Sequence, residues 1–479
     1  MTETLRPQAP KHSYIHLLPY LVAATFFMEY LDTTVIATAL PQMARTFGVG
    51  PNEVSLGMTA YMLAIAVFIP VSGWIADRFG TRTVFCCAII IFTLASILCG
   101  FSTTVFAFTG SRVLQGLGGA MMVPVGRLIV VRKTEKSQLM KAISTITWPA
   151  IMAPVVGPPI GGFITTYASW EWIFLLNVPF GIAALIAAMI MVKNEREPHR
   201  KPLDIPGFLL SAATLICILY GTELASQQES NKWVALSFVT AGVMLGFVAF
   251  RFAARQEHPL IDFSTLRVPT YSVTVISGSI TRIGIGAVPY LMPLLFQVGF
   301  GLSAFMSGLL LLVSASANLG MKAFTTRILQ RWGFRRVSII NVLAAGISII
   351  ACGMLTPSTH VAIVMAVVFI YGMTRSMQFT TLATLAYCDI VPTQMSAANT
   401  LWNAAGQMTI GMGIAFGAAA LQGAAIWRGT SSISIHTPFI LNDFQWAFIL
   451  AGTLTICSLP GYFRMAKDAG SKVGGGLGR

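Results

Sequence analysis

Residues 15–40 read IHLLPYLVAATFFMEYLDTTVIATAL, an apolar run long enough to cross a bilayer that nevertheless contains two acids. About 20 apolar residues span the ~30 Å of hydrocarbon in a membrane. The acids are Glu29 and Asp32, and an ionised carboxylate at that depth costs about 2.5–3.5 kcal/mol on insertion scales. Acids within a span face the protein interior or a wet cavity, where they mark an ion or substrate pathway.

The spacing of Glu29 and Asp32 places them on one helix face, because residues three apart are neighbours on a helix. Two close carboxylates in a medium of low dielectric constant repel, which favours a proton on one of them. We therefore predict that at least one of these acids couples transport to protons. The alternative is a structural pair that a neighbouring helix satisfies.

The whole chain has the composition of a membrane protein. It has 479 residues, of which 55% are hydrophobic and 10% charged, with a mean hydropathy of +0.74. The sequence predicts an all-α polytopic fold with fourteen transmembrane spans. They lie near residues 15–40, 55–75, 83–101, 105–131, 140–165, 171–192, 207–225, 233–253, 270–299, 303–329, 336–355, 360–388, 396–424 and 442–464. The span at 270–299 contains Arg282, Pro289 and Pro293, and we expect a bend there.

The distribution of positive charge supports this count of spans. With both termini in the cytoplasm, most of the 31 Lys and Arg fall on the inner side, and only Arg45, Lys232 and Arg428 fall outside. The net charge of +14 then reflects topology and contact with anionic lipids. Nucleic-acid binding is unfavoured, because the basic residues are divided among short loops. The seven cysteines show no metal-ligand spacing, and we expect no metal and no cofactor.

Two short inner loops echo each other about 250 residues apart. The loop at 73–82 reads GWIADRFGTR and the loop at 331–336 reads RWGFRR, so both contain an Arg–aromatic–Gly–x–Arg core. Such an echo indicates two related bundles. We predict one six-helix bundle over residues 1–193, a two-helix central insert over 194–269, and a second six-helix bundle over 270–479. A longer outer loop at 426–438 is expected to be a connector or, alternatively, a hairpin lid.

Four segments match motifs of a known family. They are LDTTVIATALP at 31–41, GWIADRFGTR at 73–82, RVLQGLGGA at 112–120 and GPPIGG at 157–162, with a weaker match in WEWIFLLNVP at 170–179. In these segments the chain resembles the major facilitator superfamily, specifically its fourteen-span drug:proton antiporters. The resemblance implies a proton-coupled exporter in a bacterial inner membrane that works as a monomer. Two positions depart from the family pattern. Glu29 is not a general feature of the first motif, and Glu171 stands where Arg is common.

Each motif also has a physical interpretation of its own. Arg112 keeps its charge and needs a partner, and Asp32 or Glu29 is the natural candidate. A helix movement that brings Arg112 to the acid or takes it away would change the proton affinity of that acid. The alternative is a static buried pair. The glycines and prolines of the fourth motif allow close packing and bending, so we predict a conformational hinge there rather than packing alone. The hinge residues are Gly157, Pro158, Pro159, Gly161 and Gly162.

The inner loops are predicted to form a gate. Asp77 can pair with a nearby Arg, and such a charge cluster can lock one orientation and release it in the other. A routine positively charged inner loop is the alternative. The predicted gating residues are Gly73, Asp77, Arg78, Gly80, Arg82, Arg331, Gly333 and Arg335.

The three C-terminal spans that contain Arg282, Lys322 and Arg375 contain no acid, which favours an anionic or zwitterionic substrate. Snorkelling to the interface is the alternative for the cations, and hydrogen bonding between helices is the alternative for the amides. The predicted substrate-binding residues are Arg282, Lys322, Arg375, Asn399, Asn403 and Gln407.

The sequence therefore favours a proton-coupled exporter of small organic or amphiphilic compounds. A dedicated exporter of an anionic metabolite, a siderophore or a metal–citrate type of chelate is the alternative within transport. A polytopic membrane enzyme is the alternative from another class, but the six His are isolated and form no catalytic cluster. The chain has no P-loop, which argues against transport driven by ATP.

Overall fold

The computed structural model describes residues 17–134, 139–196, 202–226, 232–256, 259–260, 263–391, 394–429, 439–466 and 469. Within these ranges the chain is almost entirely helical. The helices are α1 (Leu18–Phe47), α2 (Pro51–Phe79), α3 (Thr81–Gly100), α4 (Val105–Lys133), α5 (Leu139–Tyr167), α6 (Glu171–Leu175), α7 (Asn177–Met191), α8 (Ile205–Ser226), α9 (Lys232–Ala253), α10 (Pro269–Leu294), α11 (Ala304–Trp332), α12 (Phe334–Gly353), α13 (Val361–Cys388), α14 (Met395–Trp427), α15 (Leu441–Ile456) and α16 (Leu459–Phe463).

The predicted all-α membrane fold is confirmed. Among the described residues, thirteen helical segments are long and apolar enough to cross a membrane, with α6–α7 and α15–α16 each counted as one segment. The remaining predicted span, 140–165, coincides with the 29-residue helix α5. The bend expected at 270–299 stays a prediction; α10 continues after Pro289 and Pro293 as a π-helical turn over Leu295–Gly299. The predicted lid or connector at 426–438 lies mostly outside the described residues.

Helix packing repeats between the two halves of the chain. In the N-terminal half α1 packs on α5, α2 on α4, and α3 on α4 and α7. In the C-terminal half α10 packs on α14, α11 on α13, and α12 on α13 and α15 in the same relation. Helices α8 and α9 pack on each other, and α8 also contacts α2 and α14. The bundle boundaries at residues 193 and 269 stay predictions, although the pairing pattern agrees with them.

The two halves meet at one end of the molecule, where α1 ends and α2 begins; we call this the closed end. One apolar core there includes Leu40 of α1, Val54 of α2, Leu295 after α10 and Leu421 of α14. Toward the opposite end, the apolar residues of the two halves fall into separate clusters. The halves therefore share a core at the closed end and diverge away from it.

Polar contacts reinforce the closed end. The side-chain amide of Asn52 in α2 donates to Gln422 in α14 at 2.8 Å and also bonds with the hydroxyl of Tyr290. The side chain of Gln297 donates to the carbonyl oxygen of Thr38 at 3.1 Å. These bonds join helices of opposite halves and hold this end shut.

A glycine contact brings α5 against α11 at the same end. A Cβ atom built on Gly162 would clash with the carbonyl oxygen of Ala304, and one built on Gly308 would clash with the carbonyl oxygen of Pro158. The absence of side chains at these two glycines therefore lets the backbones of the two halves touch.

We predict that Gly162→Ala destabilises the closed arrangement by about 1–3 kcal/mol, as overpacking of a close contact does. A matched control is Gly423→Ala in α14, where a Cβ would meet nothing within 4 Å. That substitution should stabilise its helix by roughly 0.5–1 kcal/mol. Thermal unfolding of both variants in detergent should give shifts of opposite sign, and shifts of the same sign would contradict the packing described.

Candidate functional site

Asp32 is the centre of a buried hydrogen-bond network inside the N-terminal half. Its Oδ2 accepts a hydrogen bond from Arg112 at 2.6 Å, and its Oδ1 accepts from Gln115 and from Asn177, each at 2.9 Å. The side-chain amides of Gln115 and Asn177 also donate to Ser96 Oγ, at 2.8 and 3.3 Å. The network thus links α1 with α3, α4 and α7, and it satisfies both oxygens of Asp32.

Arg112 is held as firmly as its partner. The guanidinium is 1% exposed, donates to Gln115 Oε1 at 2.5 Å, and lies 4.0 Å from the ring centroid of Tyr61. The attraction between Arg112 and Asp32 offsets part of the cost of burying both charges, although Arg112 Nε has no hydrogen-bond partner among the described residues. Of the two acids predicted as partners for Arg112, the structure thus places Asp32 against it.

Glu29 has different surroundings from Asp32, although it lies one turn away on the same helix. Its side chain is buried, yet its Oε2 has no hydrogen-bond partner. The carboxyl lies beside Gly119 of α4, where a Cβ would stand 3.4 Å from Glu29 Cδ and 3.3 Å from the hydroxyl of Tyr61. Glu29 therefore has a free acceptor, while Asp32 does not.

A cavity of about 280 Å³ lies between the two halves, and Glu29 is part of its wall. Most of the wall is apolar, with Met58, Met62, Met292 and Ile414 among its side chains. Its polar members come from α1, α11, α13 and α14, and they are Glu29, Tyr30, Thr33, Thr34, Ser314, Tyr371, Arg375 and Gln407. Asp32 and Arg112 are not among the residues that line this cavity.

The predicted substrate-binding residues separate into those in the cavity wall and those outside it. Arg375 and Gln407 line the cavity. Lys322 has an exposed side chain on α11 and lies outside the wall. Asn399 and Asn403 lie outside the wall as well, and Asn399 Oδ1 accepts hydrogen bonds from Asn403 in α14 and from Tyr387 in α13, each at 3.1 Å, so the contact joins two helices.

Arg282 is buried, and no acid in the described ranges forms an ion pair with it. It is 4% exposed, and its guanidinium carbon lies 3.7 Å from the ring centroid of Trp402 on α14. Its Nε and Nη1 have no hydrogen-bond partner, and it is not part of the cavity wall. The stacking on Trp402 supplies cation–π attraction, which is stronger where water is excluded.

The two predicted gate loops have the same backbone turn. Gly80 and Gly333 have φ angles of +98° and +74°, a region that favours glycine, and each begins the next helix. At the first loop, Asp77 pairs with Arg132 of α4 at 3.0 Å, and Arg78 lies over the ring of Trp74. Each loop also forms a hydrogen bond with the chain at, or just after, the end of the sixth span of its own half. The amide of Thr81 donates to Glu195 O, and Arg335 donates to Phe463 O.

The remaining gate residues show no comparable contact. A Cβ at Gly73 would meet nothing within 4 Å, so no described helix packs closely against this glycine. Arg331 has an exposed side chain, and Arg82 lies half-buried in the first turn of α3.

The predicted hinge glycines of α5 divide between two partners. Gly157 and Gly161 pack on α1, where a Cβ would clash with the hydroxyl of Thr34 or stand 2.6 Å from the carbonyl oxygen of Val35. Gly162 and the backbone of Pro158 instead pack on α11 of the other half. Pro159 also borders that contact, since its Cα lies 3.1 Å from a Cβ built on Gly308.

The C-terminal half contains a neutral counterpart of the Asp32 network, which the sequence analysis missed. The hydroxyl of Thr281 in α10 bonds with Ser458 at 2.7 Å and with Tyr462 at 3.0 Å. Tyr462 accepts from Gln378 of α13 at 3.2 Å, and Gln378 accepts from Asn341 of α12 at 2.9 Å. The same set of helices is therefore joined in each half, with charges in one and with neutral groups in the other.

Gln115, Asn177 and Ser96 were likewise not predicted as site residues. Gln115 stands three residues after Arg112 and so shares its helix face, a signal that the sequence did offer. Asn177 lies in the weakest motif match, and Ser96 lies in an ordinary apolar span without any motif.

Comparison with known proteins finds similarity to membrane transporters in sequence and in structure. The family model described as Major Facilitator Superfamily matches residues 22–416. The chain is 35% identical over 433 residues to a protein of Serratia proteamaculans named multidrug resistance protein MdtD, covering 90% of this chain and 91% of that protein. Among solved structures, an auto-inhibited POT family peptide transporter matches with a TM-score of 0.69 at 14% identity, covering 94% of this chain and 98% of that one. A D-xylose–proton symporter matches with a TM-score of 0.65 at 14% identity, covering 96% and 99%.

We predict that Asp32→Asn lowers the free energy of unfolding by about 3 kcal/mol or more, since it leaves the buried charge of Arg112 without its counter-charge. Glu29→Gln makes the same acid-to-amide change one turn away, where no partner is lost, and should change stability by less than about 1 kcal/mol. Chemical unfolding of the two variants in detergent provides the comparison. Equal losses would contradict the assignment of Arg112 to Asp32.

Proposed function

Because this chain belongs to the major facilitator superfamily of membrane transporters, we propose that it exports small organic or amphiphilic molecules in exchange for protons by alternating access. It is a multi-pass membrane protein and a transporter rather than an enzyme. The family assignment covers most of the chain. The direction of transport and the coupling to protons are the proposal.

The observation that carries the proposal is the carboxyl group of Glu29 in the wall of the central cavity. One of its oxygens is free of hydrogen bonds, and the cavity lies between the two halves. An ionised carboxylate in this position is poorly solvated, so it gains from binding a proton or a cationic group. Competition between the two for one carboxyl makes proton entry release the solute, which is the requirement for exchange.

Asp32 and Arg112 have a different role in this proposal. Their contact positions α1 against α4 and pairs the charge of Arg112 with Asp32 rather than with Glu29. In this proposal the three predicted proton-coupling residues have two roles. Glu29 binds the proton, and the ion pair of Asp32 and Arg112 holds α1 so that Glu29 faces the cavity. A rearrangement that weakened the contact of Arg112 with Asp32 would alter the field at Glu29, and this links helix movement to proton affinity.

The conformational cycle follows from the closed end. If the termini lie in the cytoplasm, the closed end is the outer one, and the cavity is accessible from the inside. Opening the outer end would break the contacts of Asn52 and Gln297 and separate Gly162 from α11. The gate loops that contain Asp77 and Gly333 would then come together at the inner end. The glycines of α5 permit this movement, because their backbone contacts can slide without interlocked side chains.

The substrate class follows from the relatives and from the cavity. The relatives carry the name multidrug resistance protein, which supports export of organic compounds. The methionines in the wall can repack around different shapes, as adaptable apolar sites do. We place the protein in a bacterial inner membrane, with a small molecule and protons as its partners and with one chain as the working unit.

A dedicated exporter of an anionic metabolite or metal chelate is the second candidate. Arg375 in the cavity wall and Arg282 buried on Trp402 favour it, since both would gain from an anionic ligand. A binding screen on the purified protein should compare cationic dyes with citrate-like anions and their iron complexes. Preference for the anions would favour the second candidate.

We predict that Glu29→Gln abolishes solute flux driven by an imposed pH gradient in proteoliposomes, because the amide cannot take up the coupled proton. Exchange of labelled for unlabelled solute without a gradient should persist, since it requires the cavity and not the proton. The matched control is Glu171→Gln, an acid outside the cavity wall that should leave gradient-driven flux unchanged. Full gradient-driven flux in Glu29→Gln, or flux in the wild type that ignores the gradient, would reject the proposal.

A further inference from the structure

The cavity between the halves has two charges of opposite sign in its wall. Of the described residues that line it, Glu29 is the one acid, and Arg375 is the one Lys or Arg. Glu29 belongs to α1 in the N-terminal half, and Arg375 belongs to α13 in the C-terminal half. A solute in this cavity therefore meets a negative group from one half of the protein and a positive group from the other.

The negative group is ready to pair with a ligand. Glu29 is 7% exposed, its Oε2 has no hydrogen-bond partner among the described residues, and the guanidinium of Arg112 is engaged by Asp32. Gly119 has no side chain to fill the space beside the carboxyl. A buried carboxylate without a partner is costly, and a cationic group of a ligand would remove that cost.

The positive group is likewise free of an acidic partner. None of the ion pairs in the described part of the chain includes Arg375. Its side chain is half-buried, with the guanidinium carbon 5.9 Å from the ring centroid of Phe379. Its planar guanidinium suits a carboxylate, which it can bind through two parallel hydrogen bonds.

We propose that the cavity selects amphoteric solutes, with a cationic group at Glu29, an anionic group at Arg375 and an apolar body between them. A solute with a single charge leaves one of the two protein charges unpaired. A solute with both charges pairs with both and connects the two halves of the protein. The apolar wall, with Met58, Met62 and Met292, fits an aromatic or aliphatic body. This inference rests on the proposed export function and specifies the charge type of its substrate.

Three compounds that share one ring separate the charges. They are para-aminoethylbenzoate with both charges, phenylethylamine with the positive charge alone, and para-ethylbenzoate with the negative charge alone. We expect purified wild-type protein in detergent at neutral pH to bind the first at least about tenfold more tightly than either of the others. A tenfold difference corresponds to about 1.4 kcal/mol, and one hydrogen bond to a charged group is strong enough to supply it. Isothermal titration calorimetry or competition binding measures the ratio.

Two variants test which charged group of the solute pairs with which protein residue. In Glu29→Gln, the advantage of para-aminoethylbenzoate over para-ethylbenzoate should disappear, because the amine loses its partner. In Arg375→Gln, the advantage over phenylethylamine should disappear, because the carboxylate loses its partner. The matched controls are Glu171→Gln and Lys322→Gln, which remove a charge outside the cavity wall and should keep the wild-type ratios. If Arg375→Gln does not fold, Arg375→Lys keeps the charge and should retain a reduced preference.

The result that would overturn this inference is wild-type binding of the three compounds with similar affinity, or a stronger preference for a singly charged one. A uniform loss of affinity for all three in both variants would overturn it as well. The assay uses no gradient, so it is separate from the test of proton coupling. If the protein shows gradient-driven flux but no preference for the amphoteric compound, this inference alone is rejected. If it shows the preference but no gradient-driven flux, the exchange mechanism alone is rejected.

Discussion

The contact between Asp32 and Arg112 is the interaction on which the rest of the N-terminal half depends. Both side chains are almost fully buried, and their hydrogen bonds with Gln115 and Asn177 join four spans around one carboxylate. Such a pair has a small net effect on stability while intact, but it is costly to break from one side. It therefore fixes which way α1 faces, and through that it sets the position of Glu29.

The same helix also organises the contacts to α5. The motif at 31–41 presents Asp32 to α4 and presents Thr34 and Val35 to Gly157 and Gly161. The motifs at 31–41, 112–120 and 157–162 are thus parts of one packing arrangement rather than three independent sites. Their order along the chain conceals this relation, since the partners of this helix are 80 or more residues away.

The sequence predicted the spans, the membrane class and the family, because hydropathy and motif spacing are local properties. It could not separate the roles of Glu29 and Asp32. At 3.6 residues per turn, positions three apart differ by about 60° around a helix, so both acids seemed to share one environment. In the structure that angle is enough to point one into the bundle and the other at the cavity. The placement of Lys322 and Arg282 outside the cavity wall has the same cause, because pore-facing and buried faces of an apolar helix look alike in sequence. The role of each residue stays a prediction.

The buried charges of the two halves differ in a way that affects how the protein responds to the membrane voltage. Asp32 and Arg112 together carry no net charge, so the membrane voltage does no work on them when α1 and α4 move as a unit. Arg282 has no counter-charge beside it, and a charge that crosses the whole membrane gains or loses about 2.3 kcal/mol per 100 mV. Any displacement of α10 along the membrane normal therefore carries uncompensated positive charge through the field. The membrane voltage can therefore bias a movement of α10 through Arg282, whereas the intact pair of Asp32 and Arg112 gives the voltage no net charge to act on.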